Sequence, residues 1–416
     1  MPEPSLHTLP GGLTVLLAPD PSAQTVAMGY FVRTGARDDP PGGRGSAHFL
    51  EHLMFKGNQE VGGAELNMRL DRLGGGANAF TSDEATVYHA ASLPEEQGEL
   101  LFLLSQLLAP ALREEDVELE RGVILEEIAM YADQPESRVY DALRAAYWGE
   151  HELGQPVLGS VASVSGLTPA DLRGTLAARY GAPAVTLVAA GRLDEGKVLA
   201  GVRELTRGWS QTTSGRRLSP HTPRPAFLAL PDESLSRLQV ALASPGISAS
   251  HPLREAAQVL CEILGGENGR LYWALLDSGL ADSADLGHSE YQETGVFEGG
   301  FSCDPERGPE VLTLYREVLR GVQQGGVTPQ EVRRAARKLA VAAVMGAETP
   351  QGQLFGLGMN YLALGRVVTV QEAVGRVAGV TPADVAALLA LRPFDTQVTV
   401  ALGGAGALEG LEALPE

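Results

Sequence analysis

Two segments 213 residues apart repeat one pattern, and this repeat constrains the fold more than any other feature of the chain. VSGLTPADLRGTLAARYGAPAVTLVAAGRLD (164–194) resembles VAGVTPADVAALLALRPFDTQVTVALGGAG (377–406). Starting at Gly166 and at Gly379, both read G-[LV]-T-P-A-D-[LV]. Thr168 and Thr381 are placed to cap a helix, with Pro169 and Pro382 in its first turn. Each copy then runs through a short helix into an apolar strand. A third Thr-Pro pair, at Thr328, shows that this dipeptide alone starts other helices. The weight lies in two helix–strand units matched at one offset, which indicates a duplicated domain. A similar shift sets EEDVELERGVILEEI against PQEVRRAARKLAVAA.

A chain of 416 residues exceeds what one hydrophobic core usually serves, so two domains are expected. Residues 211–226, QTTSGRRLSPHTPRPA, are rich in Ser, Thr, Pro and Arg and lack apolar periodicity. They read as a linker between halves 1–210 and 227–416. GGLTVLLAPD (11–20) and TVAMGYFVRTGARDD (25–39) read as strands, as does NAFTSDEATVYHAAS (78–92). RGSAHFLEHLMFKG reads as a helix capped by Ser46. Residues 64–75, 93–112 and 114–133 follow as further helices. The expected class is α+β, two homologous halves, each a mixed and mostly antiparallel sheet flanked by helices.

Composition narrows the functions. A net charge of −20 argues against nucleic acid or an anionic membrane as partner. Cys261 and Cys303 are too few for a disulfide framework, and reduced thiols in the cytoplasm are expected. No signal peptide is expected at MPEPSLHTLPGGLTVLL, and no apolar run is long enough to span a bilayer.

His48-Phe49-Leu50-Glu51-His52 is the segment that carries chemistry. Four residues apart on a helix, His48 and His52 share a face and can bind one metal ion. Glu51 lies beside them, able to orient or deprotonate an activated water. This is the H-x-x-E-H order. A catalytic zinc needs a third protein ligand, and the acidic helix at 114–132 is the expected source. Glu120, Val123, Ile124, Glu127 and Tyr131 form one stripe, expected to face inward. Glu127 is taken as the ligand and Glu120 as an auxiliary carboxylate of the catalytic set, with Glu126 off the stripe and solvated.

GSAHFLEHLMFKGN, GANAFTSDEATVY and ERGVILEEI together resemble the pitrilysin family of zinc peptidases, the inverzincins. The likeness extends to GQPVLGS (154–160), ILGGENGRLY (263–272) and the duplicated halves. It implies two α+β halves that close like a clamshell around extended peptides. It implies His48, His52 and Glu127 as ligands of one zinc per chain, Glu51 as general base, and Glu120 as a second acid near the site. Asn78, Ala79, Phe80 and Thr81 match the family's substrate strand, where an edge pairs with a peptide main chain.

One departure stands out. Members that act alone carry an Arg and a Tyr in the second half, in a stretch like L-R-x-x-x-G-L-x-Y. Here the matching stretch is Leu275-Leu276-Asp277-Ser278-Gly279-Leu280-Ala281-Asp282: leucine stands where Arg would be and Asp282 where Tyr would be, and Ala335 and Ala342 lie near the shifted positions of Glu120 and Glu127. A partner subunit that lacks zinc but supplies Arg and Tyr is the favoured expectation. The alternative is a lone chain or homodimer using Arg270, Tyr272 or Tyr291. The rival from another class is a non-catalytic assembly subunit of a processing-peptidase-like complex.

Overall fold

The computed structural model describes residues 3–412. The first elements are β1 (Ser5–Thr8), β2 (Thr14–Pro19), β3 (Val26–Val32), α1 (Ser46–Met54) and α2 (Gly63–Arg72). Then come β4 (Gly75–Thr81), β5 (Thr86–Ser92), α3 (Gln97–Leu107), α4 (Glu114–Ala132) and α5 (Pro135–Trp148). α6 (Val161–Gly166), α7 (Pro169–Arg179), β6 (Val185–Gly191) and α8 (Glu195–Leu205) precede the central coil. Beyond it lie β7 (Ala226–Pro231), β8 (Leu238–Pro245), α9 (Arg254–Leu264), β9 (Ser283–Glu290) and β10 (Gly295–Cys303). The chain continues through α10 (Gly308–Gly325), α11 (Pro329–Gly346), α12 (Pro350–Leu364), α13 (Val370–Ala378), α14 (Pro382–Leu389) and β11 (Val398–Gly403).

Two sheets form, in the orders β1-β2-β6-β3-β5-β4 and β7-β11-β8-β10-β9. With β1 set aside, the two orders correspond strand for strand. In both, one parallel pair (β2 with β6, β7 with β11) sits among antiparallel pairs. The duplication read from the Thr-Pro repeats is therefore present in the pairing scheme. Thr168 and Thr381 both cap their helices by accepting a hydrogen bond from the backbone N–H three residues on, at Asp171 and Asp384. The segment 78–92, read as one strand, is a hairpin: Ser82–Ala85 turn the chain between β4 and β5. Alternation continued across the turn in sequence and hid the break.

The compact units do not follow chain order. The first contains residues 1–130, 155–217 and 344–370; the second contains 131–154, 218–343 and 371–416. The reason is that each sheet needs both faces covered. In the first unit one face packs on α1, α3, α7 and α8, around Tyr30, Phe49, Leu53 and Leu187. The other face, with Leu16, Phe31, Val87 and Val188, is covered by Leu354 and Leu357 of α12, from the second half of the sequence. Gly358 allows the close seat: a Cβ there would lie 2.3 Å from the Phe31 ring. In the second unit, Val139, Leu143 and Tyr147 of α5 cover Ala241, Val398 and Val400 in the same manner.

The stretch read as a linker begins on the first unit. The Arg216 guanidinium donates to the buried Asp38 carboxylate at 2.7 and 3.0 Å and to the Glu84 carbonyl at 2.6 Å. Both cysteines are free thiols. Among the described residues, no helix is long and apolar enough to cross a membrane.

Candidate active site

α1 forms where the sequence expects it, but its cap is different. Gly45, with a left-handed backbone (φ 89°), delivers the chain into the helix; a Cβ there would lie 2.7 Å from the Leu158 carbonyl oxygen. Ser46 is the first helical residue and its hydroxyl turns back to the Gly43 carbonyl. The cap is Asp39, whose carboxylate accepts the N–H groups of Gly45 at 2.6 Å and Ala47 at 2.9 Å. Burial pushes the Asp39 carboxyl up to about 7, against the pull of these donors. Phe49, Leu50, Leu53 and Met54 anchor the helix in the core. His48, Glu51 and His52 are thereby held on α1 facing α4 and β4.

The two imidazoles and Glu127 converge. Nε2 of His48 and Nε2 of His52 lie 3.7 and 3.6 Å from Oε2 of Glu127. One ligand atom from each of the three residues lies within 4.8 Å of the others. Zinc bonds of about 2.0–2.2 Å in a tetrahedral site put donors roughly 3.3 Å apart, so the set fits a zinc ion with small adjustment. Two imidazoles and one carboxylate also suit zinc chemically. Burial, followed by the neighbouring His52, pushes the His48 imidazole down to about 4, favouring the neutral, metal-binding form. Among the described residues, no other His, Cys, Asp or Glu triad converges this way.

Each remaining group has a definite place. Glu120 Oε2 lies 2.9 Å from Nδ1 of His52, which leaves Nε2 for the metal. The Thr81 hydroxyl donates to Glu51 Oε2 at 2.5 Å. Burial raises the Glu51 carboxyl above its ordinary range, partly offset by that hydrogen bond. β4 is an edge strand, paired only with β5. Asn78 is exposed, and its side-chain oxygen accepts the Ala79 N–H at 2.9 Å. Phe80 instead packs toward α12, 6.1 Å from the Phe355 ring.

The inward stripe on α4 needs correction. Its buried seam is Val117, Glu120 and Ile124, while Val123 is 46% and Tyr131 38% exposed. Glu127 sits half-buried at the edge of this seam, open to an ion, and Glu126 is exposed. The sequence did not point to three residues that hold the site. Asp39 caps from six residues away, a distance at which capping patterns are not sought. Arg121 donates to the Leu167 carbonyl at 2.7 Å and lies 5.6 Å from the Phe49 ring centre, bracing α4 against α1. Lys56 contacts Glu120. The signal for both basic residues was their place inside the motif-bearing segments.

In the second unit, Leu275 is fully buried, Leu276 packs against the same apolar core, and Asp282 pairs with Arg237 at 3.1 Å. Arg270 is held by Glu331 at 2.8 and 3.1 Å. Tyr291 is buried near Trp148.

Comparison with known proteins gives this arrangement its context. Residues 14–161 match Insulinase (Peptidase family M16), and residues 166–339 match the Peptidase M16 inactive domain. An uncharacterized zinc protease of Streptomyces coelicolor is 33% identical over 391 residues, covering 92% of this chain and 85% of that protein. The chain belongs to the M16 peptidase family. The beta subunit of the Saccharomyces cerevisiae mitochondrial-processing peptidase is an M16 relative at 26% identity, covering 100% of this chain and 94% of that one. The fold matches the crystal structure of a peptidase M16 inactive domain from Pseudomonas fluorescens. Its TM-score is 0.87 at 19% identity, with 97% and 98% of the two chains covered. The family model matched by residues 166–339 is itself named an inactive domain, in line with the single triad among the described residues.

Proposed function

We propose that this chain is a zinc-dependent endopeptidase acting on short or unfolded peptides. His48, His52 and Glu127 would hold the ion and Glu51 would act as general base. One observation carries this reading: two imidazoles and a carboxylate converge beside a carboxylate that is itself fixed, in an M16 chain. Bound at this triad, zinc supplies Lewis acidity toward a peptide carbonyl and toward water.

The chain's own residues do the rest. Glu51, raised by burial and held by Thr81, takes the proton from the attacking water and hands it to the leaving amine. Glu120 fixes the ring of His52. Asn78, Ala79, Phe80 and Thr81 offer the free edge of β4 to an extended peptide, which displaces the Asn78 side chain from the Ala79 N–H. Phe80 contributes by seating that strand on Phe355, and Thr81 by holding the base.

The partner is a homologous zinc-free subunit that supplies the missing Arg and Tyr. Arg270 is held by Glu331 and Tyr291 is buried, while Tyr272 is half-buried; the engagement of Arg270, the one arginine among the three, supports an outside source over a homodimer. The yeast relative is likewise named as one subunit of its peptidase. A cytoplasmic location belongs to this reading, and the two free thiols suit a reducing compartment. A second reading, a non-catalytic assembly subunit, draws on Leu275, Leu276 and Asp282, which cannot donate to an oxyanion at neutral pH.

The test is cleavage of an unstructured quenched peptide by the purified chain, with Glu51→Gln beside it. Metal-dependent cleavage lost in the variant establishes a complete site in one chain and removes the need for a partner. No cleavage by the zinc-loaded chain, followed by cleavage once the zinc-free homologue is added, establishes the heteromer. Silence in both conditions refutes the peptidase reading in favour of the assembly subunit.

A further inference from the structure

We propose that Lys56 is a positioning residue for the metal centre: its ammonium fixes the Glu120 carboxylate that in turn orients His52. The inference rests on the reading above that His52 is a zinc ligand.

The two oxygens of Glu120 are divided between two neighbours. Oε2 faces Nδ1 of His52 at 2.9 Å, and Oε1 faces Nζ of Lys56 at 2.5 Å. Glu120 is only 6% exposed, and a carboxylate so enclosed is costly unless paired. Lys56 is one of only three lysines in the chain, with Lys197 and Lys338.

Its backbone is pinned. The Lys56 N–H donates to the Leu53 carbonyl at 3.1 Å, and the Lys56 carbonyl accepts from Arg113 at 3.3 Å. The following Gly57 is left-handed (φ 77°), and a Cβ there would lie 2.4 Å from the Val61 carbonyl oxygen. The chain thus turns immediately after Lys56, at a point where glycine is required.

The two imidazoles differ in support. Nδ1 of His48 is buried with no hydrogen-bond partner, so side-chain orientation within the pair falls on His52 alone. Removing Lys56 leaves Glu120 without its second partner and free to turn from the ring. Partners of this kind change metal affinity far more than fold stability. Lys56 keeps 29% side-chain exposure and Glu120 keeps His52 as a partner, so the loss to folding is modest.

The experiment uses the full chain stripped of metal. Zinc affinity is read by competition with a chromophoric chelator, and the melting temperature of the metal-free protein is recorded in parallel. Lys56→Met is expected to weaken zinc about tenfold, with Lys56→Arg restoring most of it. In a Glu120→Gln background, Lys56→Met should change zinc affinity by less than about twofold. The metal-free melting temperature should fall by no more than about 4 °C in the single variant, and by the same amount or less in Lys56→Arg. Unchanged zinc affinity in Lys56→Met overturns the inference. So does an equal loss with or without the Glu120 carboxylate, or a zinc loss that tracks a fall in metal-free stability. His52→Ala separates the two levels. Native-like zinc binding in that variant defeats the site assignment and Lys56 with it. Loss of zinc there, beside native affinity in Lys56→Met, defeats only the role of Lys56.

Discussion

Apart from β1, the two sheets share one strand order and one pattern of parallel and antiparallel pairs, yet they differ in what their helices enclose. In the first unit, α1 and α4 carry His48, Glu51, His52, Glu120 and Glu127 into partly or fully buried places. In the second, α9 fills the core with Ala256, Val259, Leu260 and Ile263, and α11 with Val332, Ala335 and Ala336. Ala335, near the shifted position of Glu120, is buried and asks for no partner. The scaffold therefore forms without any of the ionisable groups. In the first unit those groups are costs carried by the surrounding core, kept acceptable by Thr81, Lys56 and the mutual contacts of the triad.

The comparison breaks most visibly if α12 is withheld. A chain ending at Arg217 lacks Leu354 and Leu357, each worth roughly 1.5–3 kcal/mol by burial, and bares Leu16, Phe31, Val87 and Val188. It should show no cooperative melting transition; a sharp one would mean the first sheet is stable with one face uncovered.

Next in size is the metal. Glu127→Ala should weaken zinc by about 10³-fold, the scale expected when one of three ligands is lost. Ala342→Glu in the second unit should leave zinc at one ion per chain, measured by elemental analysis. A second equivalent would show that a single carboxylate separates the two halves.

Two truncations sharpen the symmetry of the exchanged helices. Leu354→Ala on α12 and Leu143→Ala on α5 should each cost about 2–5 kcal/mol in denaturant titrations. A large inequality would mean that one unit depends on its borrowed helix more than the other.

The smallest effect is in pH. The Arg270 guanidinium holds Glu331 down to about 2, against an ordinary 4.5. Its contribution is present above pH 4.5 and is lost as the pH falls toward 2. Burial does the opposite to Glu51, raising it above 4.5. Its contribution in the metal-free protein is present below pH 4.5 and lost as the pH rises through the raised value. At neutral pH, Glu331→Gln should destabilise slightly and metal-free Glu51→Gln should stabilise slightly. Melting curves across pH giving the same sign for both would contradict these causes.

Much of this was legible in the residues. Periodicity and capping signals located β2, β3, α2, α3 and α4, because local patterns decide local structure. The i, i+4 spacing of His48 and His52 required one shared face on any helix, and Glu127 was the acid that met them. What was hidden is non-local. The turn at Ser82–Ala85 interrupts a run whose alternation survives it. Asp39, Lys56 and Arg121 act through contacts that no spacing rule encodes. The exposure of Val123 followed from what α4 packs against, which periodicity does not name. The exchange of α5 and α12 between the units was hidden because the residues of a helix say that it has an apolar face, not which sheet that face will cover.

That exchange also sets a clock for synthesis. The last strand of the first sheet ends at Gly191, but the helix that closes its second face ends at Leu364. At ribosomal rates of about 5–20 residues per second, the roughly 170 residues between them take on the order of 10–35 s to emerge. Throughout that interval the nascent chain presents an open apolar sheet face, a natural point of engagement for chaperones. It also means that the residues proposed as base and metal ligands, all made before Gly191, wait for α12 before their supporting sheet is complete. The proposed site is therefore among the first parts of its unit to be made and among the last to gain a closed sheet beneath it.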